Sequence, residues 1–70
     1  MNTYKERMVE EYHQLKDRTE KLNAMLDKYE KGILDFTPTC PISLLYEQLG
    51  VMRHYICILE ERANIEEIIL

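Results

Sequence analysis

Mostly apolar side chains recur at alternating spacings of three and four along two long stretches of this 70-residue chain. The positions are Tyr12, Leu15, Thr19, Leu22, Leu26 and Tyr29 in the first stretch, and Ile42, Leu45, Leu49, Met52, Ile56, Leu59 and Ala63 in the second. This spacing is typical of helices that pack along each other at a shallow angle. The pattern predicts an all-α fold: an antiparallel, coiled-coil-like hairpin of two helices.

Capping and loop-forming residues divide the pattern into the segments of one domain. The predicted order is helix 3–31, loop 32–40, helix 41–63 and an apolar C-terminal tail 64–70, which together make a single domain 1–70. Thr3 and Glu6 have the spacing of a capping box, in which each side chain binds a free backbone N–H at the helix start. Gly32 suits the left-handed residue after a helix, and Pro41 suits the first position of one. Asn64 could end the second helix, so that the last apolar residues pack on a neighbouring subunit.

The second helix carries a further apolar row, which one partner helix cannot cover. Its members are Leu44, Val51, Tyr55, Ile58 and Ile65. A domain of this size buries only about 60% of its unfolded surface and usually needs reinforcement. Burial of the row is worth on the order of 10 kcal/mol, at about 1.5–3 kcal/mol for each side chain. We therefore expect these residues to form the interface of a homo-oligomeric helical bundle. Dimers through hexamers, and a hairpin that opens and swaps, are all compatible with the heptads.

The connection between the helices is not a minimal polar turn. Ile33, Leu34 and Phe36 are apolar and lie in the loop between the ladders. We expect them to fold back over the end of the hairpin as a hydrophobic plug. The alternative is a loop tip that binds a partner.

The positions of the cysteines and of the charged residues limit the cellular location and the kinds of partner that we expect. On a continuous second helix, Cys40 and Cys57 would lie about 25 Å apart, far beyond the roughly 7 Å that a disulfide allows. We expect free thiols and a cytoplasmic location, in the bacterial host if a phage encodes the chain. Residues 1–31 are neutral, whereas residues 32–70 carry two basic and six acidic residues and the whole net charge of −4. This balance argues against duplex nucleic acid as a partner, and the absence of a long apolar run argues against a membrane.

Candidate catalytic residues are few. His13 and His54 fall on polar helical faces, where a single histidine is usually solvated. Cys40 lies beside a helix N-terminus, a place that can activate a thiol, but the sequence sets no base next to it. Metal-ligand and phosphate-loop motifs are missing from the sequence. We expect a protein that is not an enzyme and that holds neither a metal nor a cofactor.

A small anionic ligand fits the sequence better than a catalytic role. The helix starts offer free backbone N–H groups, and at the first of them Lys5 and Arg7 follow Tyr4. Tyr4 and Tyr46 are the tyrosines that the apolar ladders explain least. An aromatic ring can stack on a nucleobase while Lys or Arg holds a phosphate. We select Tyr4, Lys5, Arg7 and Tyr46 as candidate ligand-binding residues; the alternative is a solvated helical face with interleaved charges.

Two stretches carry a resemblance to known proteins, and their less generic parts are the Cys-Pro entry to the second helix and the Gln-Leu-x-x-Met-x-x-Tyr run. The first stretch is the run Leu-Lys-x-Arg-x-x-Lys-Leu within Glu11 to Leu26, and the second is Cys40-Pro41 followed by Gln48-Leu49, Met52 and Tyr55. On residues 8–62 the chain resembles a family of very short helical-hairpin proteins of bacteriophages, first noted in crAss-like phages. In size and architecture it is also similar to anti-CBASS and anti-Thoeris sponges. Those proteins form oligomers that bind cyclic di- or trinucleotides, or cyclic ADP-ribose isomers, without cleaving them.

These observations favour one function and leave two alternatives open. The resemblance implies a phage-type accessory protein that counters a host defence by sequestering a cyclic-nucleotide immune signal, with further copies of itself as its other partner. The first alternative is an acidic inhibitor of a host protein, such as an anti-CRISPR-like binder. Its acidic end would consist of Glu60, Glu61, Glu66 and Glu67. The second alternative is a purely structural coiled-coil oligomer.

Overall fold

The computed structural model describes residues 3–70 and shows in them two α-helices, α1 at Tyr4–Glu30 and α2 at Ile42–Ile65. The helices run antiparallel, because Tyr4 at the start of α1 bonds to Glu66 just after α2, and Tyr46 near the start of α2 bonds to Glu30 at the end of α1. The hairpin measures 43 × 21 × 18 Å. The predicted all-α, two-helix hairpin is confirmed.

Both ends of α1 are capped by the residues that the sequence indicates. The Thr3 hydroxyl oxygen accepts a hydrogen bond from the Glu6 backbone N–H at 3.2 Å. At the other end Gly32 adopts a left-handed conformation with φ +72°, and the Ile33 N–H donates to the Lys28 carbonyl at 3.0 Å. This bond closes a Schellman motif, which satisfies carbonyls that the helix itself leaves free.

The bounds of α2 differ from the prediction at both ends. Pro41 is the N-cap of α2 and not its first helical residue, because its ψ of 136° is extended. Asn64 lies inside the helix, which continues two residues beyond the predicted end at 63. The chain then turns at Glu67, which has φ +57°, and the Ile68 N–H donates to the Ala63 carbonyl at 2.8 Å. A second Schellman motif therefore ends α2, with glutamate where glycine is usual.

The core runs along the contact between the helices and is densest near their open end, where α1 begins and α2 ends. Buried side chains there are Met8, Tyr12, Leu59 and Ala63, with Leu15, Ile56, Ile68 and Leu70 packed against them. The ladder residues Leu26 and Leu49 are buried towards the loop, whereas Tyr29 is exposed. Ile68 and Leu70 of the tail pack on their own hairpin because the turn at Glu67 directs the chain back towards it. Across residues 3–70, neither helix is long and apolar enough to cross a membrane.

Candidate functional site

Four tyrosines form hydrogen bonds between the helices within residues 3–70. Each hydroxyl donates to a glutamate of, or next to, the other helix: Tyr4 to Glu66, Tyr12 to Glu60, Tyr46 to Glu30 and Tyr55 to Glu11. The Tyr12–Glu60 bond is 2.7 Å long and is partly buried. Arg53 adds a further polar contact, donating to the Asn23 side-chain oxygen at 2.9 Å. The two tyrosines that the ladders explain least thus have a structural role in joining the helices.

These bonds change the acidity of the tyrosines. The Glu30 carboxylate that accepts the Tyr46 hydroxyl hydrogen raises the pKa of Tyr46 to about 12. The bond to Glu66 raises the pKa of Tyr4, and the bond to Glu60 raises that of Tyr12. In each case the carboxylate stabilises the protonated phenol, with desolvation as the second cause.

The four candidate ligand-binding residues lie at opposite ends of the hairpin. Tyr4, Lys5 and Arg7 are exposed at the open end, and 52% of the Tyr4 surface faces solvent. Tyr46 lies near the closed end, where it bonds to Glu30. From Tyr4 to Glu30, α1 rises by about 39 Å, at about 1.5 Å for each step along the helix. One protomer therefore does not bring all four residues into a single site.

The loop tip contains open space and exposed aromatic surface. Phe36 is 54% exposed and Ile33 is 64% exposed, so the predicted hydrophobic plug is wrong for both residues. A cavity of about 300 Å³ lies between the loop and the helices and is lined by Met25, Phe36, Thr37, Pro38, Thr39, Cys40 and Leu45. A neighbouring cavity of about 210 Å³ shares Phe36, Thr37 and Pro38 with it. The loop therefore offers a shallow pocket with aromatic, hydroxyl and thiol groups, which supports the alternative of a binding tip.

The four residues selected from the sequence as ligand-binding include none that line this pocket, and Phe36 entered only through the alternative of a partner-binding loop tip. The available signal was Phe36, an aromatic residue in a Thr-Pro-Thr loop that belongs to neither ladder. The position of the pocket depends on the loop conformation, which hydrophobic periodicity does not specify.

The further apolar row of α2 is uncovered. Exposed fractions are 53% for Leu44, 65% for Val51, 40% for Tyr55, 40% for Ile58 and 74% for Ile65. The inner face of α2 is occupied by α1, so Leu44, Val51, Ile58 and Ile65 face away from the hairpin core, while the Tyr55 hydroxyl reaches back to Glu11 of α1. A contiguous exposed apolar row of this kind is a candidate interaction surface.

The acidic end is partly used within the hairpin. Glu60 accepts from Tyr12, and Glu66 accepts from Tyr4 and lies 3.9 Å from the Arg62 guanidinium. Elsewhere on the surface, Lys21 pairs with Asp17 at 3.0 Å and Lys31 with Asp27 at 2.9 Å. Among residues 3–70, Lys5 and Arg7 form no ion pair, so these cations at the open end are available to an anion.

The residues considered for catalysis are dispersed over the surface. The His13 ring lies edge-on to Tyr12, with 5.4 Å between ring centroids. Cys40 and Cys57 are both free and exposed. In the part of the chain that the structure describes, no three His, Cys, Asp or Glu residues are grouped closely enough to hold a metal ion.

Comparison with known proteins gives one match. No curated protein and no solved structure matches the chain. The family described as Sequestin matches residues 2–65, which include both helices and the loop. The family name denotes sequestration, in agreement with the likeness to small helical sponge proteins. Since the match covers nearly the whole sequence, the chain belongs to the Sequestin family.

Proposed function

We propose that this protein binds and sequesters a cyclic-nucleotide immune signal, without catalysis, and acts as a homo-oligomer. Membership of the Sequestin family carries the proposal. The ligand class is a cyclic di- or trinucleotide or a cyclic ADP-ribose isomer, which combines flat bases with phosphates. The exposed surface offers aromatic rings and unpaired cations, the two kinds of group that such a ligand needs.

The open end supplies the phosphate contacts in this proposal. Lys5 and Arg7 are exposed on the first turns of α1, where the helix dipole also favours an anion. The Tyr4 hydroxyl is held by Glu66, which fixes the ring while half of its surface remains open to a base. Removal of the two cations should abolish binding and leave the hairpin folded, because neither side chain is buried.

The closed end supplies a second aromatic surface. The Tyr46 ring is 37% exposed and is held by Glu30, and Phe36 lines the adjoining tip cavity. The cavity of about 300 Å³ lies at the lower end of the range for small-molecule pockets. A ligand that contacts both ends must bridge two copies of the chain, which links ligand binding to self-association.

Titration calorimetry with cyclic dinucleotides, cyclic trinucleotides and cyclic ADP-ribose isomers tests the contacts. K5A/R7A should lose binding, whereas R18A/K21A removes the same charge from the middle of α1 and serves as the matched control. Y4F keeps the ring but loses its bond to Glu66, so it should bind more weakly than the unchanged protein and more tightly than Y4A, which has no ring. F36L keeps apolar volume at the tip but loses the aromatic face, so weaker binding by F36L identifies stacking there. Equal affinity of K5A/R7A and R18A/K21A would count against the open end.

Recovery of the bound ligand tests the absence of catalysis. Ligand incubated with the protein should be invisible to a signal-responsive effector and should return chemically unchanged once the protein is heat-denatured. A fragmented ligand would show that the protein is an enzyme.

The acidic-inhibitor alternative has less support from the geometry. Glu60 and Glu66 are engaged by tyrosines within the hairpin, which leaves Glu61 and Glu67 as the carboxylates of that end without such a bond. Two exposed carboxylates are a small surface for occupying a basic protein channel.

A further inference from the structure

The exposed row of α2 contains a repeat with its own symmetry. Leu44, Val51, Ile58 and Ile65 lie seven residues apart, so they form one stripe along the helix. All four side chains are at least 40% exposed in the hairpin. Four apolar positions at equal spacing match themselves when the helix direction is reversed, which is the requirement for a two-fold interface.

An antiparallel second copy of α2 fits this stripe in one register. If Leu44 lies opposite Ile65 of the second copy, then Val51 lies opposite Ile58 of that copy. The two-fold axis then passes between His54 and Tyr55. All four apolar positions find an apolar partner, and each contact occurs twice.

The charged residues beside the stripe select the same arrangement. Glu47 lies three residues after Leu44, and Arg62 lies three residues before Ile65. In the antiparallel register Glu47 therefore lies opposite Arg62 of the second copy, and the two-fold axis generates a second such pair. Arg62 is available for this contact because its ion pair with Glu66 is long, at 3.9 Å, and about half of the Arg62 side chain is exposed.

A parallel arrangement has the opposite consequence. It sets Glu47 against Glu47 of the second copy and Arg62 against Arg62. Like charges in direct opposition are unfavourable at an interface and act against that orientation. Apolar matching alone permits both orientations, whereas charge matching permits the antiparallel one.

We propose that two copies of the chain form a two-fold symmetric, antiparallel dimer through the outer stripe of α2, with paired Glu47 and Arg62 side chains on either side of its centre. The dimer sets the open end of one hairpin beside the loop tip of the other. Each end of the dimer then has one Tyr4–Arg7 segment and one tip cavity. This inference deepens the self-association in the proposed function, and its test uses no ligand, so failure of the dimer and failure of ligand binding are separate results.

Sedimentation analysis of charge variants distinguishes the two orientations. The unchanged protein should be a dimer at micromolar concentration. E47R and R62E each oppose like charges in the antiparallel dimer and should weaken it roughly tenfold or more. The double variant E47R/R62E exchanges the two charges, restores both antiparallel pairs and should return the dissociation constant to within about threefold of the original. In a parallel dimer the two single variants and the double variant all still oppose like charges, so none of them should differ much from the unchanged protein, and that result would overturn the antiparallel arrangement.

Two further variants control for folding and for net charge. E20R changes an exposed residue of α1 by the same charge and should leave the dimer intact. V51E alters a side chain that is 65% exposed in the hairpin, so it should keep the helical circular dichroism while it abolishes the dimer. A monomeric unchanged protein, a larger oligomer, or an E47R/R62E variant weaker than either single variant would overturn the proposal.

Discussion

The Tyr12 hydroxyl on α1 donates a hydrogen bond to the Glu60 carboxylate on α2 across 2.7 Å. The Tyr12 ring is buried in the core, while its hydroxyl reaches the surface of the other helix. One side chain thus contributes both to apolar packing and to a polar bond between the helices. Three other tyrosine–glutamate pairs repeat the polar part of this arrangement along the hairpin.

Y12F should destabilise the hairpin by about 1 kcal/mol, because it removes a charge-assisted hydrogen bond and leaves the ring in place. This loss of folding free energy is small for a hydrogen bond to a charged group, because the Glu60 side chain is exposed and water can replace the Tyr12 hydroxyl as its donor. Urea denaturation at one fixed protein concentration measures the change. Y29F is the matched control, since Tyr29 is an exposed tyrosine and none of the four interhelix pairs includes it. Equal losses from Y12F and Y29F would contradict a role for the pair.

Alkaline pH should destabilise the protein, because the bonded tyrosines hold their protons more tightly in the folded hairpin than in the unfolded chain. The pKa of Tyr46 is raised from 10.0 to about 12 by its bond to Glu30, and those of Tyr4 and Tyr12 are also raised. A group with a raised folded-state pKa contributes its full stability below the unfolded value of 10.0, and that contribution is lost as the pH rises through the folded value. The unfolding temperature should therefore fall between about pH 10 and pH 12.

Comparison with Y46F isolates the contribution of this one pair. Every other ionisable group is present in both proteins, so the difference between the two plots of unfolding temperature against pH belongs to Tyr46. The unfolding temperature of Y46F should be lower at neutral pH and should fall less steeply above pH 10. If the unfolding temperatures of the two proteins fell in parallel with pH, ionisation of Tyr46 would not affect the stability of the hairpin.

E67G should stabilise the protein by about 0.5–1 kcal/mol, since glycine adopts a left-handed conformation without the steric cost that a side chain imposes. Glu67 has φ +57° at the turn that ends α2. The converse substitution is G32A. Gly32 has φ +72°, so alanine at this position should lower the folding stability by about 1 kcal/mol. Thermal denaturation should show a higher unfolding temperature for E67G and a lower one for G32A. A destabilised E67G would mean that its carboxylate has a contact of greater value than the strain.

G50A should stabilise the hairpin by up to about 1 kcal/mol, because alanine is the better helix former. A Cβ atom at Gly50 would meet no atom within 4 Å, so the hairpin itself provides no packing reason for glycine. Gly50 also lies about a quarter turn from the outer stripe of α2, so the dimer should persist. Loss of the dimer in G50A, seen by sedimentation, would show instead that a second backbone approaches closely at this position.

The helices and their contact faces could be predicted from the sequence, whereas the polar contacts and the loop could not. Leu26 and Leu59 are buried as their ladder positions indicate, because helical periodicity is a local property. Which glutamate each tyrosine reaches depends on the register between the helices, and that register depends on the loop geometry. Phe36 is exposed instead of covering the end of the core, because its position also depends on the loop geometry. The turn at Glu67 was unforeseen because glutamate rarely adopts a positive φ.

Native mass spectrometry of the purified protein with an equimolar mixture of cyclic di- and trinucleotides and cyclic ADP-ribose isomers shows in one experiment whether the protein assembles and holds such a ligand. We expect a defined oligomer that carries one discrete ligand mass. K5A/R7A should show the same oligomer without that mass, which separates assembly from binding. An oligomer that stays empty in the presence of every ligand would contradict sequestration of a cyclic-nucleotide signal.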